Sequence, residues 1–418
     1  MHVPTSHPHT GLWDKSYEKK AIALLSLGFG LVGLDRFIIN PLFPLMSKEL
    51  GLNYQDLGLI SAVLALSWGL SSIMTGHLSD RIGRKRVLIP AVITFSMLVA
   101  TSGLATGLLS LLAIRALMGL AEGAYVPASI VATMEASKPS RIGLNVGIQQ
   151  MAAPLVGLGF GPVIAVALIK VLPNWHWVFG VVAIPGLVIA WAMSRFLRDD
   201  TPTPAEVNES EAPEVQMSWR DVFKYRAVIV NTLGMFCWLS CLIILSAFMP
   251  NYLTDHLKLS LDQMGMVLSG LGLGSFIGMV LVPAISDKLG RKSVMIVALL
   301  IELGALWLLP NIGAQPIALF WALFIATFMN AGVVAITVGP LTSGAVPQYL
   351  ATTATGFVVG LGEVVGGAVA PALAGGLAQT FGISIILEIA FYAILLGIAV
   401  VVIGMKQVTI PALLRTSP

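Results

Sequence analysis

From Ala21 almost to its end the chain is a succession of apolar runs. Each is long enough, at 1.5 Å per helical residue, to cross roughly 30 Å of hydrocarbon. We place twelve spans near 21–47, 57–79, 87–107, 108–135, 142–170, 175–197, 227–254, 261–285, 292–310, 314–339, 351–378 and 382–405. Lipid offers no hydrogen bonds, so every run must satisfy its own backbone and is read as a helix. Only 11% of the 418 residues are charged and 56% are hydrophobic, against roughly 25% charged in a soluble domain. A soluble fold of this size cannot cover that much apolar side chain, which excludes a cytosolic enzyme. Cys237 and Cys241 stand one helical turn apart in one run and are expected as lipid- or core-facing thiols, not a disulfide. His2, His7 and His9 fall in a polar tail and are read as tail, so no metal site is expected.

The polar stretch from Arg198 to Lys224 divides six spans from six. Its acids and prolines show no apolar period, which reads as a flexible linker. The expected organisation is a tail over 1–20, a six-helix bundle over 21–197, a linker over 198–226, a second six-helix bundle over 227–405 and a tail over 406–418. Of the 24 Lys and Arg residues, 19 fall in the tails, the linker and the loops on their side. The opposite loops hold only Lys48, Lys170 and Lys258. By the positive-inside rule both termini and the linker are cytoplasmic, in a plasma (bacterial inner) membrane.

The two halves repeat each other. Gly58, Asp80, Gly83, Arg84 and Lys85 recur as Gly265, Asp287, Gly290, Arg291 and Lys292, all 207 positions on. A parallel repeat of six spans implies an all-α membrane protein with two bundles about a pseudo-two-fold axis along the membrane normal, and a cavity between them. The loop Gly76-His-Leu-Ser-Asp80-Arg81-Ile-Gly83-Arg84-Lys85-Arg86, with its second copy Ser286-Asp287-Lys288-Leu-Gly290-Arg291-Lys292, resembles the signature of the major facilitator superfamily. That resemblance covers nearly the whole chain. It implies that Gly76, Asp80, Arg81, Gly83, Arg84, Asp287, Gly290 and Arg291 form gating loops whose polar contacts hold one face closed.

Three further stretches resemble the anion:cation symporter group: Leu34-Asp35-Arg36 in span 1, Ile114-Arg115 through Glu122 in span 4, and Trp175-His-Trp-Val-Phe179 opening span 6. The resemblance implies that Arg36 holds a substrate carboxylate, while Asp35 and Glu122 exchange protons. The chain departs from it at Trp68, where sugar-acid carriers suggest tyrosine, and at Glu363, where a polar amide is expected.

A charge in mid-membrane costs roughly 2.5–3.5 kcal/mol on insertion scales and needs a reason. The five intramembrane carboxyls Asp35, Glu122, Glu302, Glu363 and Glu388 face two arginines, Arg36 and Arg115. If all ionised, three negative charges would lack a partner, which makes protons the economical coupling ion. Glu302 and Glu388 lie in outer spans and are read as structural or near a membrane surface. Glu363 is a third coupling candidate, and Arg115 is expected in a supporting ion pair two turns from Glu122. Asn40, Trp68, Tyr125, Gln149, Gln150, Trp238 and Asn330 are expected around the substrate, with Asn145 sharing the face of Gln149.

The sequence therefore reads as a carrier that symports protons with a small organic anion, a monocarboxylate or sugar acid, into the cytoplasm. It needs no cofactor and no nucleic acid, and works as a monomer in the lipid bilayer. The alternative is a proton-driven exporter of drugs or metabolites, since Gly157-Leu-Gly159-Phe-Gly161-Pro162 resembles part of a drug:proton antiporter signature.

Overall fold

The computed structural model describes residues 14–198, 219–347 and 350–405, apart from the side chains at 73, 76–78, 80, 81, 219–221 and 352. Twelve long helices follow one another: α1 Lys15–Leu50, α2 Tyr54–Ile82, α3 Arg84–Ser102, α4 Leu108–Ala136, α5 Pro139–Val171, α6 Trp175–Phe196, α7 Arg226–His256, α8 Leu261–Leu289, α9 Arg291–Ile312, α10 Pro316–Leu341, α11 Thr353–Phe381 and α12 Ile385–Gly404. There is no strand among the described residues. Most helices match their expected spans to within a few residues, and α1 is the exception, beginning at Lys15 and not at Ala21. The Asp14 carboxylate accepts the backbone N–H groups of Ser16 and Tyr17 at 2.9 and 3.2 Å. That cap lets a polar, helix-forming stretch join the apolar run. His2, His7, His9 and most of the linker lie outside the described residues.

The helices form two bundles with matching internal packing. In the first, α2 packs on α4, α3 on α4 and α6, and α1 on α5; in the second, α8 packs on α10, α9 on α10 and α12, and α7 on α11. The duplicated loop has a structural basis in both halves. Gly83 (φ 95°) and Gly290 (φ 91°) adopt left-handed backbone that a side chain would strain, and each ends one helix and starts the next. The lysine two positions on then caps the sixth helix of its bundle. Lys85 Nζ donates to the Leu197 carbonyl at 2.8 Å, and Lys292 Nζ to those of Val402 and Met405 at 3.0 and 2.6 Å. A cation there satisfies carbonyls the helix end leaves bare.

Within and between bundles, glycines permit backbone contact. A Cβ on Gly157 of α5 would overlap the backbone of Gly33 in α1, and one on Gly272 of α8 would overlap that of Gly159 in α5. Close packing between helices thus accounts for the glycine run of α5. The bundles meet where α2 packs on the second half of α11 and α5 on α8. Those contacts gather at the end of the molecule away from the linker. There the Tyr54 hydroxyl donates to Asp255 at 3.0 Å, the Tyr54 N–H to Gln379 at 3.2 Å, and Lys170 pairs with Asp262 at 2.5 Å. At the linker end Gly143 and Gly147 of α5, and Gly356 and Gly360 of α11, have no atom within 4 Å of where a Cβ would stand. The bundles are closed far from the linker and splayed beside it.

Candidate functional site

The middle of α1 is broken. Its first segment ends at Phe37, Ile38 forms a turn, and a second segment runs from Ile39. Pro41 cannot donate to the Phe37 carbonyl and its ring crowds that turn, so the break follows directly after Asp35 and Arg36. Proline also marks the middle of α5 and α11. Wide-turned segments at Pro154–Phe160 and Glu363–Val369 precede Pro162 and Pro371 at matching places in the two repeats. Such widened turns favour functional sites because they free backbone groups and redirect side chains.

A cavity between the bundles opens at this level. Arg36, Asn40 and Phe37 of α1, Ser61 of α2, Arg115 of α4, Ser246 of α7 and Gly367 of α11 line it, with aliphatic side chains between them. Arg36 Nη2 donates to Glu363 Oε2 at 2.8 Å, tying α1 to α11 across the bundles. The rings of Phe37 and Trp68 lie 5.6 and 6.0 Å from the same guanidinium. Asn40 Nδ2 makes a second bridge, donating to the Ser246 carbonyl at 2.9 Å. Arg115 was expected in an ion pair, but Nη1 donates to the backbone carbonyls of Asp35 and Arg36, each at 3.2 Å. Its Nε and Nη2 are buried without a hydrogen-bond partner. Glu122 is fully buried with both carboxyl oxygens unpartnered, and Asp35 Oδ1 is likewise unpartnered. Glu122 acts electrostatically on both Asp35 and Arg36, so α1, α4 and α11 concentrate ionisable groups around one cavity.

Of the expected substrate neighbours, Arg36 and Asn40 line the cavity and Trp68 stands beside Arg36. Tyr125, Gln149, Trp238 and Asn330 face elsewhere. Tyr125 donates to the Leu25 carbonyl at 3.0 Å against Gly28. Gln149 donates to Ser129 at 2.7 Å, and Gln150 leaves Nε2 buried without a partner. Asn145 joins Glu18 and Ser137 at 2.9 and 2.8 Å, so this polar face stitches α1, α4 and α5 together. Trp238 is wedged between Gly234 and Gly397, and Asn330 donates to the Trp238 carbonyl at 3.1 Å and to Glu302 at 2.8 Å. Glu302 was read as structural or near a surface; it is fully buried inside the second bundle, whereas Glu388 is exposed. Cys237 and Cys241 are free and buried. Among the described residues no group of His, Cys, Asp and Glu could hold a metal ion.

In the loops, Gly76, Asp80 and Arg81 lie outside the described side chains. Arg84 pairs with Glu135 at 3.3 Å and Arg291 with Asp287 at 3.4 Å, both within their own bundles. Sequence reasoning missed Ser61, Ser246 and Gly367 as cavity residues. Small residues in an apolar helix carry no signal of which way they face.

The chain is 27% identical over 377 residues to the D-galactonate transporter of Escherichia coli O6:H1, covering 81% of this chain and 84% of that one. It is 25% identical over 390 residues to the sialic acid transporter NanX of Escherichia coli K12, covering 91% and 93%. To the hexuronate transporter of Bacillus subtilis it is 25% identical over 283 residues, covering 66% and 67%. Its fold is similar to that of a bacterial homologue of the human lysosomal transporter Spinster, crystallised inward-facing and unoccupied. The TM-score is 0.74 at 16% identity, over 94% of this chain and 96% of that one. The nucleoside transporter NupG superposes with a TM-score of 0.75 at 12% identity, over 93% and 100%. The model of the Major Facilitator Superfamily matches residues 25–362 and 243–415. With its two matched six-helix bundles and its duplicated loop, this multi-pass membrane chain belongs to the Major Facilitator Superfamily.

Proposed function

We infer that the protein is a proton-coupled symporter that takes up a small organic anion, a monocarboxylate or sugar acid, by alternating access. The observation that carries this reading is the pair of guanidiniums, Arg36 and Arg115, lining one cavity between the bundles. A fixed cation in a poorly hydrated cavity favours an anionic cargo, and guanidinium offers the planar fork that a carboxylate fits. Relatives named for hexuronate, D-galactonate and sialic acid support the same chemical class. Protons are the coupling ion in this reading. A proton on Glu122 removes a buried negative charge that no donor compensates, and a proton on Asp35 removes one whose Oδ1 has no donor. In this reading the linker end, which carries the excess of Lys and Arg, is cytoplasmic, and the splayed end of this structure faces inward.

The test is a binding screen of purified protein against D-galactonate, D-glucuronate, D-galacturonate and N-acetylneuraminate. We expect at least one to bind, about 100-fold loss of affinity in Arg36→Ala and about tenfold loss in Arg36→Lys. Cationic or neutral compounds binding in place of all four, unaffected by Arg36→Ala, would favour export of other cargo.

A further inference from the structure

The guanidinium proposed to receive the substrate already holds a carboxylate of the protein itself. Glu363 Oε2 lies 2.8 Å from Arg36 Nη2, and the side chains are only 11% and 15% exposed. Their backbones are 327 positions apart, on α11 and α1, so the pair joins one bundle to the other. The fit is local as well. Glu363 opens the wide-turned segment of α11, and its carboxylate lies along its own helix beside Gly367, one turn on. A Cβ on Gly367 would stand 2.5 Å from Oε2 and 3.2 Å from the Ala65 Cβ of α2. Gly367 itself lines the cavity. The carboxylate therefore sits at the cavity wall against Gly367, where a methyl group would make it shift.

The charge count gives this pair a consequence. Among the described residues, Arg36 on α1 and Arg115 on α4 are the titratable groups lining the cavity, with Glu363 on α11, Asp35 on α1 and Glu122 on α4 close to them. From α2, Ala65 and Trp68 approach the pair, and from α7, Met235, Leu239 and Ser240 pack on the neighbouring α11 glycines. None of these titrates. A substrate carboxylate entering here would be a fourth potential anion beside two cations, and two carboxylates on one guanidinium repel in low dielectric.

We propose that Glu363 is an internal counter-anion: the substrate carboxylate replaces it at Arg36, Glu363 takes a proton from the open aqueous end as it leaves, and the α1–α11 tie between the bundles is cut. This rests on the organic-anion reading above. One Arg36–carboxylate contact breaks, another forms, and the proton neutralises the displaced acid. Occupancy is thereby converted into loss of a contact between bundles, which is what a carrier needs in order to reorient only when loaded.

The experiment is calorimetric titration of purified protein with D-galactonate and D-glucuronate, in two buffers of different ionisation enthalpy so that proton uptake is read with affinity. Wild type should take up protons on binding. Glu363→Gln removes the competitor, so it should bind about fivefold tighter and take up about one proton fewer. Gly367→Ala sets a methyl group 2.5 Å from where Oε2 now stands, so the carboxylate must shift while keeping its charge. A contact to Arg36 weakened in this way should also tighten binding, which covers the case in which Glu363→Gln folds poorly. Glu388→Gln, on the exposed face of α12, should behave as wild type. Wild-type binding with unchanged or weaker affinity and unchanged proton uptake in Glu363→Gln would overturn the proposal and leave the organic-anion reading standing. Failure of both sugar acids to bind wild type, while a non-anionic compound binds, would overturn both.

Discussion

The guanidinium of Arg115 in α4 holds the backbone carbonyl of Arg36 in α1 at 3.2 Å, and that of Asp35 at the same distance. These carbonyls belong to the last turn of the first segment of α1, where the helix dipole is negative and the break leaves carbonyls short of partners. Arg115 thus fixes the backbone on which Arg36 and Asp35 are mounted. Arg115→Met should destabilise the protein by about 2–3 kcal/mol. It should weaken sugar-acid binding although Arg36 is intact, with Arg115→Lys in between. Thermal unfolding in detergent, alongside the binding screen, measures both. An unchanged melting temperature in Arg115→Met would show that the two donations contribute no stability.

The glycine contacts make a sharper stability prediction. Gly157→Val places a side chain on the backbone of Gly33 and should cost about 1–3 kcal/mol or more by forcing α1 and α5 apart. Gly180→Val in α6 meets nothing within 4 Å and should stay within about 0.5 kcal/mol of wild type. The difference in denaturation midpoint between these two variants separates contact between helices from general glycine chemistry.

Some of this arrangement was readable in the residues and some was not. The twelve helices follow from apolar length, and the paired bundles follow from the loop repeated 207 positions on. Gly83 and Gly290 were readable because their work is local, a positive φ where one helix ends and the next begins, whereas the helix ends that Lys85 and Lys292 cap lie more than 100 residues away and were not. The facing of mid-span residues was not readable. Helices that are apolar all round show no stripe to mark the inner side. Tyr125 and Asn330 sit at the right depth, yet they bond within their own bundles. Arg36 and Glu363 each stood out as a charge in lipid, but their pairing depends on how α1 and α11 meet, 327 residues apart.

At the end far from the linker, Lys170 of α5 and Asp262 of α8 bridge the bundles at 2.5 Å, both well exposed. An exposed pair contributes only about 0–1 kcal/mol, enough to bias two conformations of similar energy. Lys170→Asp should increase labelling of a cysteine placed at the far end of the cavity, and adding Asp262→Lys should reverse the change. Labelling that ignores both substitutions would remove this pair from the closing contacts.

The proton-coupled reading meets its most direct test at Glu122, which is fully buried with neither carboxyl oxygen hydrogen-bonded. Glutamine there imitates the protonated acid and cannot give the proton up. In proteoliposomes loaded with the sugar acid that binds, wild type should exchange substrate and also accumulate it when the outside is acidified. Glu122→Gln should keep the exchange, which needs no net proton movement, and lose about 90% or more of the pH-driven accumulation. Accumulation at the wild-type level in Glu122→Gln, measured in the same vesicles, would contradict proton coupling through this residue.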